Sequence, residues 1–274
     1  MNTDHQPHSR IFIYCALACE AKPLVSYFKL KKNTGIHVFN VYNSATITLT
    51  VTGPGKTAMA SAVAYTQGLT AQNQAAVFFN TGIAGHRHEP LGQSFLIDKI
   101  SDKDSGQVYY PPQVLNLPLP RKALQTFSKP VTNYPEQALC DMEGSAFYQT
   151  AARFTSGELI QCLKVVSDNT ENPAAAVNET LAGRLMQAQL PAIESLLSAL
   201  TALTENLNAP AIKWFEQSLR HCHVTASERR QLANQLQRLN ALQPAIPAQL
   251  PEFKSAQAAL AWLQQTLDGQ PFYL

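Results

Sequence analysis

The segment 139–168 constrains the fold of this chain more than any other. Its first part places small and apolar residues at helical spacing over 142–154, with the carboxylates of Asp141 and Glu143 at the start. Acidic side chains are favoured in a first helical turn by the unpaired N–H groups and the helix dipole. A glycine then interrupts the pattern, and the apolar, β-branched run 159–166 predicts a buried strand.

This strand ends at Ser167-Asp168. In open α/β sheets, ligands bind in the crevice beyond the carboxyl ends of the strands. We therefore expect Glu143, at a helix start, and Asp168, at a strand end, to face one pocket. Each acid alone is equally well explained as an ordinary residue of its element, so it is their combination that indicates a site.

The composition indicates a folded α/β protein. The 274 residues suffice for one large domain or a domain with an appendage, and 45% are hydrophobic while 15% are charged. The formal net charge is only +2, without a long basic run, so neither nucleic acid nor a membrane surface is expected as a partner.

The first apolar run and the cysteines bear on location. The run 11–19 follows Arg10 and ends in Cys19, as a short signal peptide would, but it leads directly into a charged segment, so we expect a first core strand. Five cysteines are scattered without any C-x-x-C pair, which favours neither a disulfide framework nor a zinc site. We therefore expect a cytoplasmic protein.

Strand and turn signals recur along the first two thirds of the chain. A hairpin is expected from the β-rich segments 38–42 and 46–52, and glycine-rich strand-to-helix turns are expected after Thr52 and after Asn80. The proline-rich region 102–135 predicts extended loops, with a short helix near 122–127.

Beyond Pro210 glycine almost vanishes, and glutamine, leucine and alanine dominate. Thr225 and Glu228 form a capping box before one helical pattern, and Ser255 is placed to cap another. Three arginines in this region raise the possibility of a DNA-reading helix, but nearby acids offset them, so a solvated helix face is favoured. We predict an α/β domain over 1–208 and a helical appendage over 209–274.

The order of five motifs is more specific than any one of them. The motifs A-L-A-C-E, T-G-P-G-K, N-T-G-I-A-G, D-M-E-G and V-S-D follow one another between residues 16 and 168. In this order they resemble the nucleoside phosphorylase/nucleosidase superfamily, and within it the methylthioadenosine/adenosylhomocysteine nucleosidases. The resemblance covers about residues 10–200. It implies a three-layer α/β/α fold with a mixed, partly barrel-like sheet, and cleavage of the N-glycosidic bond between ribose and base.

The resemblance also implies a role for each acid. Asp168, beside Ser167, matches the acid that protonates or hydrogen-bonds the departing purine. Glu143 matches the carboxylate that holds the ribose hydroxyls, with Met142 packing on the sugar. Glu20 matches the base that orients and deprotonates water on the opposite face of the sugar.

The choice between water and phosphate depends on the third motif. By the same resemblance Thr81 and Gly82 are substrate-binding residues, and Asn80 stands where phosphorylases have a phosphate-clamping arginine. Hydrolysis is therefore favoured. A phosphorylase that uses Arg87 or Lys56 for phosphate remains an alternative.

A third possibility is a nucleoside-binding or scaffold protein without turnover. In all three cases the partner is a small-molecule nucleoside, no metal or organic cofactor is expected, and the resemblance suggests a homodimer. The aromatic residue that stacks on the base remains open among Tyr109, Tyr110, Phe127 and Tyr134.

Overall fold

The computed structural model of the protein describes residues 11–69, 76–207, 219, 222–241 and 253–269. It divides into two compact units, of which the first ends at Thr204 and the second begins at Glu205. The predicted boundary between residues 208 and 209 lies outside the described residues and stays a prediction.

The first unit is built from alternating strands and helices. Its strands are β1 (Ile11–Cys15), β2 (Lys31–Lys32), β3 (Asn40–Asn43), β4 (Ile47–Val51), β5 (Val77–Gly85), β6 (Ser94–Asp102), β7 (Val108–Tyr109), β8 (Arg121–Thr126), β9 (Ala138–Asp141) and β10 (Ile160–Asp168). Its helices are α1 (Ala18–Tyr27), α2 (Lys56–Gly68), α3 (Gly144–Ala151) and α4 (Glu179–Ala188), and helix α5 (Leu190–Leu207) begins in this unit. Single turns of 3₁₀-helix lie at Gly157–Leu159 and Ala174–Ala176.

All ten of these strands join one mixed sheet. Strand β1 lies between β4 and β5 and is parallel to both, and β3 and β2 extend the sheet beyond β4 in antiparallel fashion. On the other side, β5 pairs with β10, β10 with β6, β6 with β8, β8 with β9, and β9 returns to β5. Five strands thus close into a ring, which confirms the predicted mixed and partly barrel-like sheet.

Helices cover both faces of the sheet, as the three-layer prediction requires. Helices α2 and α3 pack together over one face, and α1 and α4 pack together over the other. The core beneath α2 and α3 contains Phe12, Tyr14 and Phe78 from the strands and Phe147 from α3. Strand β1 is buried along its whole length, which explains why its sequence is continuously apolar rather than alternating.

Two local predictions were wrong. The segment predicted to hold a short helix near 122–127 is strand β8, which lies parallel between β6 and β9, and this pairing overrides the local helical preference. The second glycine-rich segment is not a strand-to-helix turn, because β5 continues through it to Gly85.

The helix predicted to begin near residue 141 begins at Gly144. Asp141 is the last residue of β9 and Glu143 is the residue before the helix. The helix thus begins a few residues later than predicted. Asp141 nevertheless stabilises its first turn, since its Oδ2 accepts a hydrogen bond from the Gly144 N–H at 2.8 Å.

The second unit contains helices α6 (Ala226–Ala241) and α7 (Ala256–Asp268). The capping box is confirmed, since Thr225 N–H donates to Glu228 Oε2 at 2.9 Å and Glu228 N–H donates to Thr225 Oγ1 at 3.3 Å. Ser255 caps α7 through the Ala258 N–H. The two helices share a buried core that includes Leu236 and Leu263. Among the described residues, no helix combines the length and apolarity needed to span a bilayer.

Candidate active site

The first predicted acid, Glu20, lies in the first turn of α1 and is 2% exposed. Its two carboxylate oxygens accept hydrogen bonds from backbone N–H groups, Oε2 from Leu17 at 2.8 Å and Oε1 from Ile83 at 2.9 Å. A Cβ on Gly82 would lie 2.7 Å from Oε1, so this glycine makes room for the carboxylate. Burial raises the pKa of Glu20, although both N–H donors oppose the rise.

The second acid, Glu143, lies between β9 and α3 and is 7% exposed. Its Oε1 accepts a hydrogen bond from the Gly55 N–H at 2.6 Å, and its Oε2 accepts one from the Met142 N–H at 3.3 Å. Gly55 has φ +97°, a conformation that glycine adopts at no steric cost, so the G-P-G-K turn serves to present this N–H. Burial, followed by the charge of Asp141, raises the pKa of Glu143 to about 7.

The third acid, Asp168, is the last residue of β10 and is 8% exposed. Its Oδ2 accepts a hydrogen bond from the Tyr134 hydroxyl at 2.7 Å, and its Oδ1 accepts one from the Ser167 hydroxyl. The register between β10 and β5 shifts just before Asp168, and the Asp168 carbonyl accepts the His86 N–H at 3.0 Å. The strand end is therefore fixed by backbone bonds.

Beside these acids lies a buried ion pair that was missed in the sequence. The Lys164 Nζ atom is 2.9 Å from Asp141 Oδ2, and both side chains are almost completely buried. Burial opposes the charge of Lys164, but Asp141 and Glu143 outweigh it and raise the pKa of the lysine. The ion pair could have been suspected from the sequence, because a lysine inside an otherwise mostly apolar strand is expected to be buried and a buried charge requires a partner.

The three predicted acids line one cavity, whose volume is about 250 Å³. Met142 and Ser167 line it as well, as do Leu17, Pro54, Val131 and Val177. Small-molecule sites combine an apolar wall with a few polar groups in this way.

Two of the predicted substrate-binding residues are not part of the described cavity wall. Gly82 lies under Glu20. Thr81 is completely buried, and its hydroxyl has no hydrogen-bond partner among the described residues. Their role in substrate binding stays a prediction.

None of the four aromatic candidates for stacking lies in the described cavity wall. Tyr109 packs on Tyr148, with ring centroids 5.4 Å apart, and Tyr110 is 65% exposed. Tyr134 contacts the acid Asp168 without lining the cavity.

The two cations considered for phosphate are engaged elsewhere. Arg87 pairs with Glu136 at 2.8 Å, and Lys56 pairs with Asp102 at 2.9 Å and also with Asp104. Neither lines the cavity. Asn80 is buried and donates a hydrogen bond from its Nδ2 to a carbonyl of β1 at 3.0 Å. Within the described ranges, no group of three or more metal-ligating side chains is found.

Neither a protein-family model nor a curated protein matches the chain. Solved structures do match. A 5′-methylthioadenosine/S-adenosylhomocysteine nucleosidase from Helicobacter pylori aligns with 70% of this chain and 98% of its own, at 11% identity and a TM-score of 0.57. The futalosine hydrolase of Helicobacter pylori aligns with 70% and 98%, at 12% identity and a TM-score of 0.57. A 5′-methylthioadenosine/S-adenosylhomocysteine nucleosidase from S. pneumoniae aligns with 70% and 99%, at 19% identity and a TM-score of 0.54.

These comparisons concern the α/β fold, and they confirm that it is the one predicted from the order of the motifs. At such identities they show the fold alone. The chemistry of the site depends on its own residues.

Proposed function

We propose that the protein hydrolyses the N-glycosidic bond of a purine nucleoside or thionucleoside. The observation that carries this proposal is that three buried carboxylates, Glu20, Glu143 and Asp168, come from three separate segments and line one cavity. The nucleosidases and the futalosine hydrolase among the similar structures support the same reaction class.

In this proposal Asp168 assists the leaving group. A purine leaves poorly as an anion, so an acid must share a proton with a ring nitrogen as the glycosidic bond breaks. Asp168 lies at the end of a strand, buried at the cavity wall, with its carboxyl group held by two hydroxyl donors. A group held in this way can act without first reorganising.

Glu143 binds the sugar. An ionised carboxylate accepts short, charge-assisted hydrogen bonds from hydroxyl groups, and these strengthen as positive charge develops on the ribose. The Gly55 N–H fixes one oxygen of Glu143, and Met142 supplies an apolar contact in the same wall. Burial, followed by the charge of Asp141, raises the pKa of Glu143 to about 7, so this role of the ionised carboxylate is favoured as the pH rises.

Glu20 activates the water. A base takes a proton more readily when its pKa is raised toward the working pH, and burial raises the pKa of Glu20. The N–H groups of Leu17, just before α1, and of Ile83, in β5, hold the carboxylate in place, and Glu20 lines the cavity wall. An inverting glycosidase uses a carboxylate in the same manner.

Water is a better nucleophile for this cavity than phosphate. Four acids line the described wall, namely Glu20, Asp141, Glu143 and Asp168, against one lysine, Lys129, and in their ionised forms they would repel an anion. Arg87 and Lys56 are paired with acids outside it.

The experiment is free-base release from methylthioadenosine, adenosylhomocysteine, adenosine and inosine, with and without phosphate. We expect release without phosphate, and a loss of at least 100-fold in kcat/KM in Asp168→Asn. Asp98→Asn, a matched change on β6 outside the cavity wall, should leave the rate unchanged. A strict phosphate requirement would identify a phosphorylase. Binding of a nucleoside without any release would identify a binding protein.

A homodimer and a cytoplasmic location complete the proposal. The dimer is inferred from the resemblance of the motifs, and sedimentation equilibrium tests it directly.

All five cysteines are free thiols, which suits a reducing compartment. Fractionation of cells that express a tagged chain tests the location.

A further inference from the structure

Tyr134 contacts the proposed acid from outside the cavity. It lies in the segment between β8 and β9, is 6% exposed, and donates a hydrogen bond from its hydroxyl to Asp168 Oδ2 at 2.7 Å. Asp168 lines the cavity, whereas Tyr134 is not among the described residues that do so. The tyrosine therefore contacts the carboxyl group without belonging to the described cavity wall.

The contact is tightly packed around Gly85. A Cβ on Gly85 would lie 2.6 Å from Cε1 of Tyr134, 2.7 Å from Oδ2 of Asp168 and 3.0 Å from Sγ of Cys140. These distances are shorter than van der Waals contact, so the absence of a side chain at Gly85 is what lets the ring and the carboxyl group meet. The Cys140 Sγ atom is engaged with the Gly85 carbonyl at 3.4 Å.

The hydroxyl of Tyr134 remains a donor over the neutral pH range. Burial, followed by the hydrogen bond to Asp168, raises the pKa of Tyr134 above its usual range. Cys140 also interacts with Asp168, and burial raises the pKa of its thiol to about 12. Neither side chain becomes charged near neutral pH, so both keep their positions relative to Asp168.

We propose that Tyr134 is a positioning residue for Asp168: it fixes the orientation of the carboxyl group that faces the departing base and holds the carboxylate that remains once the proton has passed to the base. With Ser167 on Oδ1 and Tyr134 on Oδ2, rotation of the carboxyl group would break at least one hydrogen bond. A general acid must lie within hydrogen-bond reach of its target, and small displacements lower the rate strongly. This inference rests on the proposed hydrolysis.

The test compares Tyr134→Phe with Tyr109→Phe. Both changes remove one hydroxyl and keep the ring, but the Tyr109 hydroxyl bonds Gln107 away from the cavity. In Tyr134→Phe we expect kcat to fall about tenfold with KM changed less than about twofold, because orientation rather than binding is lost. Tyr109→Phe should match the wild type.

A second readout does not require turnover. In protein with ¹³C-labelled aspartate carboxyl groups, the Asp168 resonance is assigned with Asp168→Asn and compared between Tyr134→Phe and the wild type. Removing the Tyr134 hydroxyl takes a hydrogen-bond donor away from Oδ2, so the chemical shift of the Asp168 carboxyl carbon should differ between the two proteins, whereas it should be unchanged in Tyr109→Phe. Thermal unfolding establishes that the variant is folded. Should it not fold, Gly85→Ala replaces it: the new Cβ would lie 2.6 Å from Cε1 of Tyr134 and 2.7 Å from Oδ2 of Asp168, so it crowds the same contact and should likewise lower kcat.

The outcomes separate the two proposals. A wild type that releases no base from any nucleoside refutes the hydrolase, while the Asp168 resonance still decides whether Tyr134 controls the carboxyl group. A wild type that releases base, with Tyr134→Phe equal to it in kcat and in the Asp168 resonance, refutes only the role of Tyr134. A fall in kcat without any change in that resonance assigns Tyr134 a merely structural part and also overturns the inference.

Discussion

Glu143→Gln should change the stability of the α/β unit in opposite directions at low and high pH. Glu143 is 7% exposed, and burial followed by the charge of Asp141 raises its pKa from 4.5 to about 7. Glutamine has nearly the same shape and carries no charge. The substitution therefore removes the proton equilibrium while it retains an acceptor for the Gly55 N–H.

The sign follows from the bound protons. Between about pH 4.5 and pH 7 the folded chain keeps a proton on Glu143 that the unfolded chain has lost, so the free energy of unfolding falls as pH rises through this range. A pKa difference of about 2.5 is worth about 3 kcal/mol at pH 8, since one pH unit corresponds to ~1.4 kcal/mol. Losing the weaker acceptor for the Met142 N–H costs about 1 kcal/mol at every pH. Glu143→Gln should thus be about 2 kcal/mol more stable than the wild type at pH 8 and about 1 kcal/mol less stable at pH 4.5.

Urea unfolding between pH 4.5 and pH 8.5 measures this difference. Far-ultraviolet circular dichroism is the suitable signal, because both tryptophans, Trp214 and Trp262, belong to the second unit. Glu158→Gln, at a partly exposed position outside the cavity wall, serves as the control for the loss of one carboxylate elsewhere in the same unit. A difference for Glu143→Gln that is constant across the range would refute the reasoning.

Two further substitutions test the packing of the site. Lys164→Met should lower the free energy of unfolding by about 3–5 kcal/mol, because it leaves the buried Asp141 carboxylate without its cation. Adding Asp141→Asn should recover part of this loss, as measured by urea unfolding. If the effects of the two substitutions are additive in the double variant, the pairing is contradicted. Gly82→Ala should lower kcat for base release at least tenfold with little change in KM, because the new methyl group displaces Glu20. Gly68→Ala is the control and should leave the rate unchanged, since a Cβ there meets no atom within 4 Å. Equal rates for the two variants would exclude this role of Gly82.

The parts of the fold that were predictable are those whose sequence signal is local. Strands β1 and β10 are buried along their whole length, and the apolar run of β1 and the mostly apolar, β-branched run of β10 both predict buried strands. The hairpin of β3 and β4 is bounded by turn residues, and the caps at Thr225 and Ser255 rely on contacts within four residues. Each of these signals is complete within a short segment.

The parts that were missed depend on partners distant in sequence. Strand β8 is stabilised by pairing with β6 and β9, and β5 runs through its glycines because Glu20 and Asp168 fill the space above them. The acids could be identified because the order of the motifs carries them. Lys164 and Tyr134 contact those acids across 23 and 34 positions of sequence, and no local pattern predicts such contacts.

The two glycines of β5 also have a geometric consequence. Gly82 underlies Glu20, and Gly85 underlies Asp168. Three residues of strand span about 10 Å. Strand β5 therefore fixes the separation of the two backbone positions against which Glu20, proposed to activate water, and Asp168, proposed to meet the base, are packed. Because β5 is hydrogen-bonded to β1 and β10, and at its end to β9, this separation is held by the sheet. A change of substrate within this fold would then require changes in the segments around the cavity, such as the one between β8 and β9, while the spacing between Gly82 and Gly85 stays the same.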